Sequence, residues 1–219
     1  MNKKTVTAII FLFLFIALTA TLHFVDVQPI GPLDSSVGFA SLNGAFHGVT
    51  GENLFLYELT DILEILPFVA VFCFAILGLV QLIKRKSLLK VDPDILLLGC
   101  LYIAVGIVYV FFELYEVNYR PVLIEGVLET SYPSSTTMLV ITVMSATAIQ
   151  LKKRLANRAL MICSVTFCIV YTAFMVIGRL ISGVHWLTDI TGGILVSAGL
   201  VFLYAGLCDR FAKRKAENE

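Results

Sequence analysis

Residues 95–112 read ILLLGCLYIAVGIVYVFF, an apolar run without one charged side chain. A helix built from this run is apolar on every face, an arrangement that suits a bilayer far better than the half-wet surface of a soluble domain. A hydrocarbon core about 30 Å thick is crossed by roughly 20 such residues. Five more runs of the same kind lie at 5–23, 65–83, 132–151, 159–178 and 190–208, and none of the six contains Lys, Arg, Asp or Glu. Composition agrees: of 219 residues, 58% are hydrophobic and 15% charged, against roughly 45–50% and 25% in soluble domains. The sequence predicts an all-α, polytopic membrane protein with six transmembrane helices, residues 1–219 forming a single membrane domain with an outer loop at 24–61.

The basic residues orient the chain. Lys3 and Lys4 precede the first run; Lys84, Arg85, Lys86 and Lys90 follow the second; Lys152, Lys153, Arg154 and Arg158 follow the fourth; Arg210, Lys213, Arg214 and Lys215 follow the sixth. Fourteen of the 16 Lys and Arg residues therefore lie on one side, which the positive-inside rule makes cytoplasmic, with both termini. They are read as solvated topology signals. The first run is longer than the apolar core of a signal peptide (roughly 7–15 residues) and has no small-x-small cleavage site after it, so it is read as a retained helix. The outer loop at 24–61 has no Lys or Arg but carries Asp26, Asp34, Glu52, Glu58 and Asp61. It is expected to form an irregular cap, with an interfacial or extended start of the second helix, and is assigned no chemistry.

The formal net charge is zero, so no basic field points to a nucleic-acid partner. Cys73, Cys100, Cys163, Cys168 and Cys208 lie in or beside apolar runs without paired spacing, and His23, His47 and His185 are scattered. Neither a disulfide framework nor a metal site is indicated, and no cofactor is expected.

Arg120 and Arg179 are the two basic residues on the outer side. An arginine held there against the topological trend calls for a reason, and an anionic partner competes with simple snorkelling at a helix end. Two neighbouring segments favour the anion. Pro133-Ser134-Ser135-Thr136-Thr137 opens the fourth helix on the same side, where free N–H groups, hydroxyls and the helix dipole suit phosphate, although the same residues serve as ordinary N-caps. Beyond Arg179, His185 and Asp189 stand four apart; if helical, they share a face, and the carboxylate holds one imidazole nitrogen as N–H while leaving the other free. Together these residues describe a phosphate pocket with a nucleophile.

Over residues 113–193 the chain resembles the type 2 phosphatidic acid phosphatase superfamily, whose motifs are Lys-x6-Arg-Pro, Pro-Ser-Gly-His and Ser-Arg-x5-His-x3-Asp. Arg179, His185 and Asp189 match the third at its spacing; Arg120 and Pro121 match the end of the first, Pro133 and Ser134 the start of the second. The resemblance implies a six-helix phosphatase-like core at about 95–208 and an outer-face site. There His185 attacks phosphorus, Asp189 orients it, and Arg120, Arg179, Ser134 and the adjoining Ser135 hold the phosphoryl oxygens of a membrane lipid phosphate. Three positions depart from the motifs: Glu113 replaces the first-motif lysine, Gly178 the third-motif serine, and Thr136 the second-motif histidine, beside Ser135 in place of glycine. That histidine is the family's general acid, and losing such a group removes about 10²–10⁴-fold in rate.

The departure bears on substrate. A lipid alkoxide leaves as a base whose conjugate acid is about as weak as water, whereas a lipid monophosphate expelled from a diphosphate has a second pKa of about 6. The second leaves without a proton. The expected activity is therefore phosphohydrolysis of lipid phosphates through a phosphohistidine, with diphosphates such as undecaprenyl diphosphate preferred and Thr136 or Glu113 as candidate acid or modulator. Glu116, from the same helix end, is a further candidate acid. The alternative is a weak or inactive relative that binds lipid phosphate for sensing or transport.

Overall fold

The computed structural model describes residues 2–218. Eight α-helices follow one another: α1 (Lys3–Leu22), α2 (Ala40–Thr50), α3 (Leu54–Leu63), α4 (Ile65–Arg85), α5 (Pro93–Leu114), α6 (Ser135–Arg154), α7 (Arg158–Ile181) and α8 (Leu187–Asn218). Among the described residues, five stretches are long and apolar enough to cross a membrane: Lys3–Leu22, Leu54–Arg85, Pro93–Leu114, Arg158–Ile181 and Leu187–Arg214. The sixth expected span falls on α6, which is not among them, although its 20 residues reach about 30 Å at 1.5 Å per residue. It falls short in apolarity, not in length.

Tertiary placement explains that difference. Half of α6 is buried, including Thr136, Thr137, Thr142, Thr147 and Gln150, because α4, α5, α7 and α8 pack around it. Shielded from lipid, it can carry hydroxyls and an amide. The surrounding helices and α1 instead expose large apolar side chains such as Phe72, Ile103, Ile169 and Phe13, the exterior expected where the solvent is hydrocarbon. Helix α1 lies along α8, closely enough that a Cβ at Gly199 would meet Leu12 at 2.6 Å. One core cluster, Phe15, Val105, Phe112, Tyr132, Met138 and Val196, ties α1, α5, α6 and α8 together. In it the Phe15 and Tyr132 rings stack at 6.1 Å.

The outer segment is more regular than expected. After a short 3₁₀ turn at Pro32–Asp34 it forms α2, where the sequence predicts an irregular cap. Where the sequence predicts an interfacial or extended start of the second helix, α3 runs into α4 through Glu64, which ends one helix and begins the other. Polar anchors hold α2 down, Asn43 donating to Gly38 O at 2.8 Å and to Thr188 Oγ1 at 2.9 Å. Scattered glycines and prolines hid this helix because its stability comes from such tertiary contacts, not from an uninterrupted apolar stripe.

Candidate active site

Four segments meet at one end of the bundle: the 115–134 connection, the start of α6, the end of α7 and the turn into α8. The connection is a narrow hairpin in which Arg120 N donates to Glu129 O at 3.0 Å and Ile124 and Val127 exchange both backbone bonds. Glu125 and Gly126 turn it with φ of 50° and 80°, the two-residue form whose twist matches the paired arms. This fixes Asn118 and Arg120 beside the turn that carries His185.

That turn is set by close backbone approach. Gly183 has φ of 71°, and a Cβ there would lie 1.8 Å from Gly51 O, so both conformation and space demand glycine. Asn53 N donates to Ser182 O at 2.8 Å and His47 Nε2 lies 3.1 Å from Gly183 O, so the link between α2 and α3 clamps the turn from outside. His185 precedes α8 and is not helical, which corrects the expectation that it shares a helix face with Asp189. The two meet because Asp189, in the first turn of α8, folds back to accept from Trp186 N at 2.9 Å. Its Oδ2 then lies 3.7 Å from His185 Nδ1, an electrostatic contact longer than a hydrogen bond. Asn118 Nδ2 donates to its other oxygen at 3.5 Å.

Arg120 Nη1 approaches His185 Nε2 at 3.4 Å. A guanidinium only donates, so this contact makes Nε2 the lone-pair nitrogen and places the ring proton on Nδ1, toward Asp189. Burial pushes the imidazole pKa down to about 4; Asp189 opposes this shift, while Arg120 and Arg179 reinforce it. The ring is thus neutral at pH 7, with its free lone pair on the nitrogen facing the arginine.

Arg179 is 2% exposed, which rules out snorkelling. Its Nη2 reaches Thr136 Oγ1 at 2.6 Å and Asp61 Oδ1 at 2.9 Å, with Glu64 Oε2 at 3.7 Å. Its Nε and Nη1 are buried without a protein partner, as few buried donors are. Tyr57 lies under both guanidinium groups, 4.6 Å from that of Arg179 and 5.7 Å from that of Arg120. Arg120 Nε also pairs with Glu129 Oε2 at 3.0 Å.

The remaining predicted residues divide. Ser134 is fully buried and caps α6, accepting from Thr137 N at 3.4 Å, while its own N–H donates to Asp189 O at 3.1 Å. Ser135 lines a cavity of about 490 Å³ together with His185, Arg120, Glu113, Glu116 and Glu129. Thr136 points to Arg179 and donates to Glu64 Oε2 at 3.0 Å. Glu113 is exposed and accepts from Thr130 Oγ1 at 3.4 Å, so it sits at the rim and does not touch the imidazole or Arg179. A second cavity of about 550 Å³ shares Tyr109, Ser135 and Met138 with the first and is otherwise apolar except for Glu64 and Tyr102. Phe68, Val71, Val105 and Val143 line it.

Sequence reasoning missed Tyr57, Asp61, Glu64 and Asn118. Asp61 and Glu64 left one signal: carboxylates on the turn immediately ahead of an uncharged apolar span, where topology alone gives no reason for them.

The geometry can be set beside known proteins. A family model described as the PAP2 superfamily matches residues 68–211. The fold is similar to the crystal structure of a transmembrane PAP2-type phosphatidylglycerolphosphate phosphatase from Bacillus subtilis, with a TM-score of 0.67 and 20% identity, covering 93% of this chain and 96% of that one. No curated protein sequence matches. Tyr57, Asp61 and Glu64 precede the residues that the family model matches, so the outer segment adds side chains of its own to a site whose histidine and arginines lie within them. The family model spans more than half of the chain, motifs included, and the chain belongs to the PAP2 superfamily.

Proposed function

We propose that the protein is a membrane phosphohydrolase that removes phosphate from lipid phosphates at the extracytoplasmic face of the cell membrane, through a phosphohistidine on His185. The observation that carries this reading is the pairing of a neutral, buried imidazole with two arginines, one of which keeps two buried N–H-bearing nitrogens without protein partners. A phosphoryl group satisfies such donors in a planar, bidentate manner. His185 Nε2 attacks phosphorus, and Asp189 stabilises the charge that the ring acquires. Arg120, Arg179 and Ser135 take the equatorial oxygens, and Ser134 sets the start of α6 from which Ser135 projects. The outer face follows from the basic loops at the opposite end.

The adjoining apolar cavity supports a lipid chain as the rest of the substrate. Thr136 is a weaker proton donor than an imidazolium, so diphosphates such as undecaprenyl diphosphate are preferred over monoesters. The test is phosphate release by purified full-length protein from undecaprenyl diphosphate, phosphatidate and phosphatidylglycerol phosphate, with His185→Ala as the blank. Release from at least one substrate, abolished in the blank, is expected. Saturable phosphate binding without release would instead mark a lipid-phosphate-binding relative.

A further inference from the structure

We infer that Glu64 supplies the proton to the departing lipid oxygen, passing it through the hydroxyl of Thr136; the inference rests on the phosphohydrolase reading. Glu64 sits at the bend between α3 and α4, its side chain 19% exposed, with Thr136 Oγ1 at 3.0 Å and Arg179 Nη2 at 3.7 Å. It is the one carboxyl lining the apolar cavity among the described residues. The leaving group is the lipid, and the lipid's chain belongs in that cavity, so the scissile oxygen lies between the His185 side and the Glu64 side.

The other carboxylates are placed for different work. Glu113 and Glu116 are exposed at the rim and engaged by Thr130 and Tyr119. Glu129 is paired with Arg120, Asp61 is 59% exposed against Arg179, and Asp189 lies behind the imidazole. Glu64 alone touches a hydroxyl that also touches a phosphate-binding arginine.

A hydroxyl has two lone pairs and one proton. With Glu64 protonated, Arg179 and the carboxyl donate into the two lone pairs of Thr136 Oγ1, and its own O–H is free to face the scissile oxygen. Substrate favours that state, because a phosphate on Arg179 neutralises the cation and brings negative charge near the carboxyl. Attack by His185 Nε2 forms the N–P bond. The P–O bond to the lipid breaks with its electron pair going to oxygen, which takes the Thr136 proton while Thr136 takes that of Glu64. The products are phosphohistidine, a lipid alcohol and the Glu64 carboxylate. Water then attacks phosphorus, its proton returns to Glu64 by the same hydroxyl, and inorganic phosphate leaves with His185 restored.

The experiment compares Glu64→Gln with the unmodified full-length protein on two substrates in one preparation, phosphatidate and undecaprenyl diphosphate. The amide keeps the shape but has no acidic proton. Its fold loss should be at least about tenfold larger on phosphatidate, since proton donation matters most where the expelled oxygen is most basic. Adding Thr136→His to Glu64→Gln should recover phosphatidate turnover by placing an imidazole acid at the same point. Equal fold losses on the two substrates, or a full phosphatidate rate in Glu64→Gln, overturn the proton-donor role while leaving the phosphohydrolase reading standing. Release by the unmodified protein from neither of these nor from phosphatidylglycerol phosphate overturns both.

Discussion

Arg154 and Arg179 sit at opposite ends of the bundle, both drawn into the protein, and they are bonded in opposite ways. Each of the three Arg154 nitrogens has a protein partner: Gln150 Oε1 at 2.8 Å, Asp92 at 3.4 Å and Asp94 at 3.1 Å. Lys153 adds a bond to Asp94 at 3.0 Å, while Arg85 and Gln81 bond Asp92 at 2.7 and 2.9 Å. These basic residues are therefore more than the solvated topology signals expected from the sequence: they close their end of the bundle as a satisfied network. Arg179 concentrates its protein contacts on one nitrogen and leaves two buried without partners. A satisfied cluster stabilises a fold, whereas unmatched buried donors cost stability, and it is this contrast that supports the proposed phosphate site at Arg179.

The largest expected effect comes from removing the nucleophile. His185→Ala should abolish phosphate release and the acid-labile phosphoprotein trapped by rapid quench, with melting little changed; release at the original rate would take the histidine out of the mechanism. Next come the arginines. Arg179→Lys and Arg120→Lys each should lose about 10²-fold in kcat/KM and weaken vanadate inhibition, because an ammonium cannot copy the planar fork. Arg154→Lys should leave turnover and vanadate sensitivity near their starting values. Identical kinetic losses at both ends would erase the distinction between them.

The satisfied end should show itself in stability. Asp94→Asn removes the negative charge shared by Lys153 and Arg154 and should cost about 2 kcal/mol, read as a lower melting temperature with vanadate inhibition intact. The last effect concerns pH. His185 is held near a pKa of 4, below the ordinary 6.5, so the unfolded chain binds more protons between those values and stability is lost as pH falls from 6.5 toward 4. The pH-dependent part of melting over that window should shrink in His185→Gln. An unchanged slope would mean that the imidazole is solvated.

Much of this was legible without coordinates, for reasons that particular residues make plain. The runs at 5–23 and 95–112 read directly as α1 and α5, since an uncharged apolar run of that length has few other stable forms in hydrocarbon. Spacing placed Arg179, His185 and Asp189 in one short segment. Chain geometry could not say that His185 stands outside the helix, because the turn at Gly183 depends on Gly51 O, distant in sequence and close in space. Nor could it separate Arg154 from Arg179. Both are arginines at helix ends, and only their neighbours distinguish a closed network from an open one.

The sequence by itself determined the membrane class, the clustering of basic residues in alternate loops and the candidate phosphate-binding segments, because hydropathy, charge and motif spacing are properties of the chain taken locally. Tertiary structure alone decided that α6 is a shielded polar helix, that Glu113 sits at the rim, and that Tyr57, Asp61 and Glu64 reach Arg179 or Thr136 from the outer segment. Those outcomes depend on which side chains distant parts of the chain bring within a few ångströms. Burial and orphaned donors are properties of that neighbourhood, and no residue carries them alone.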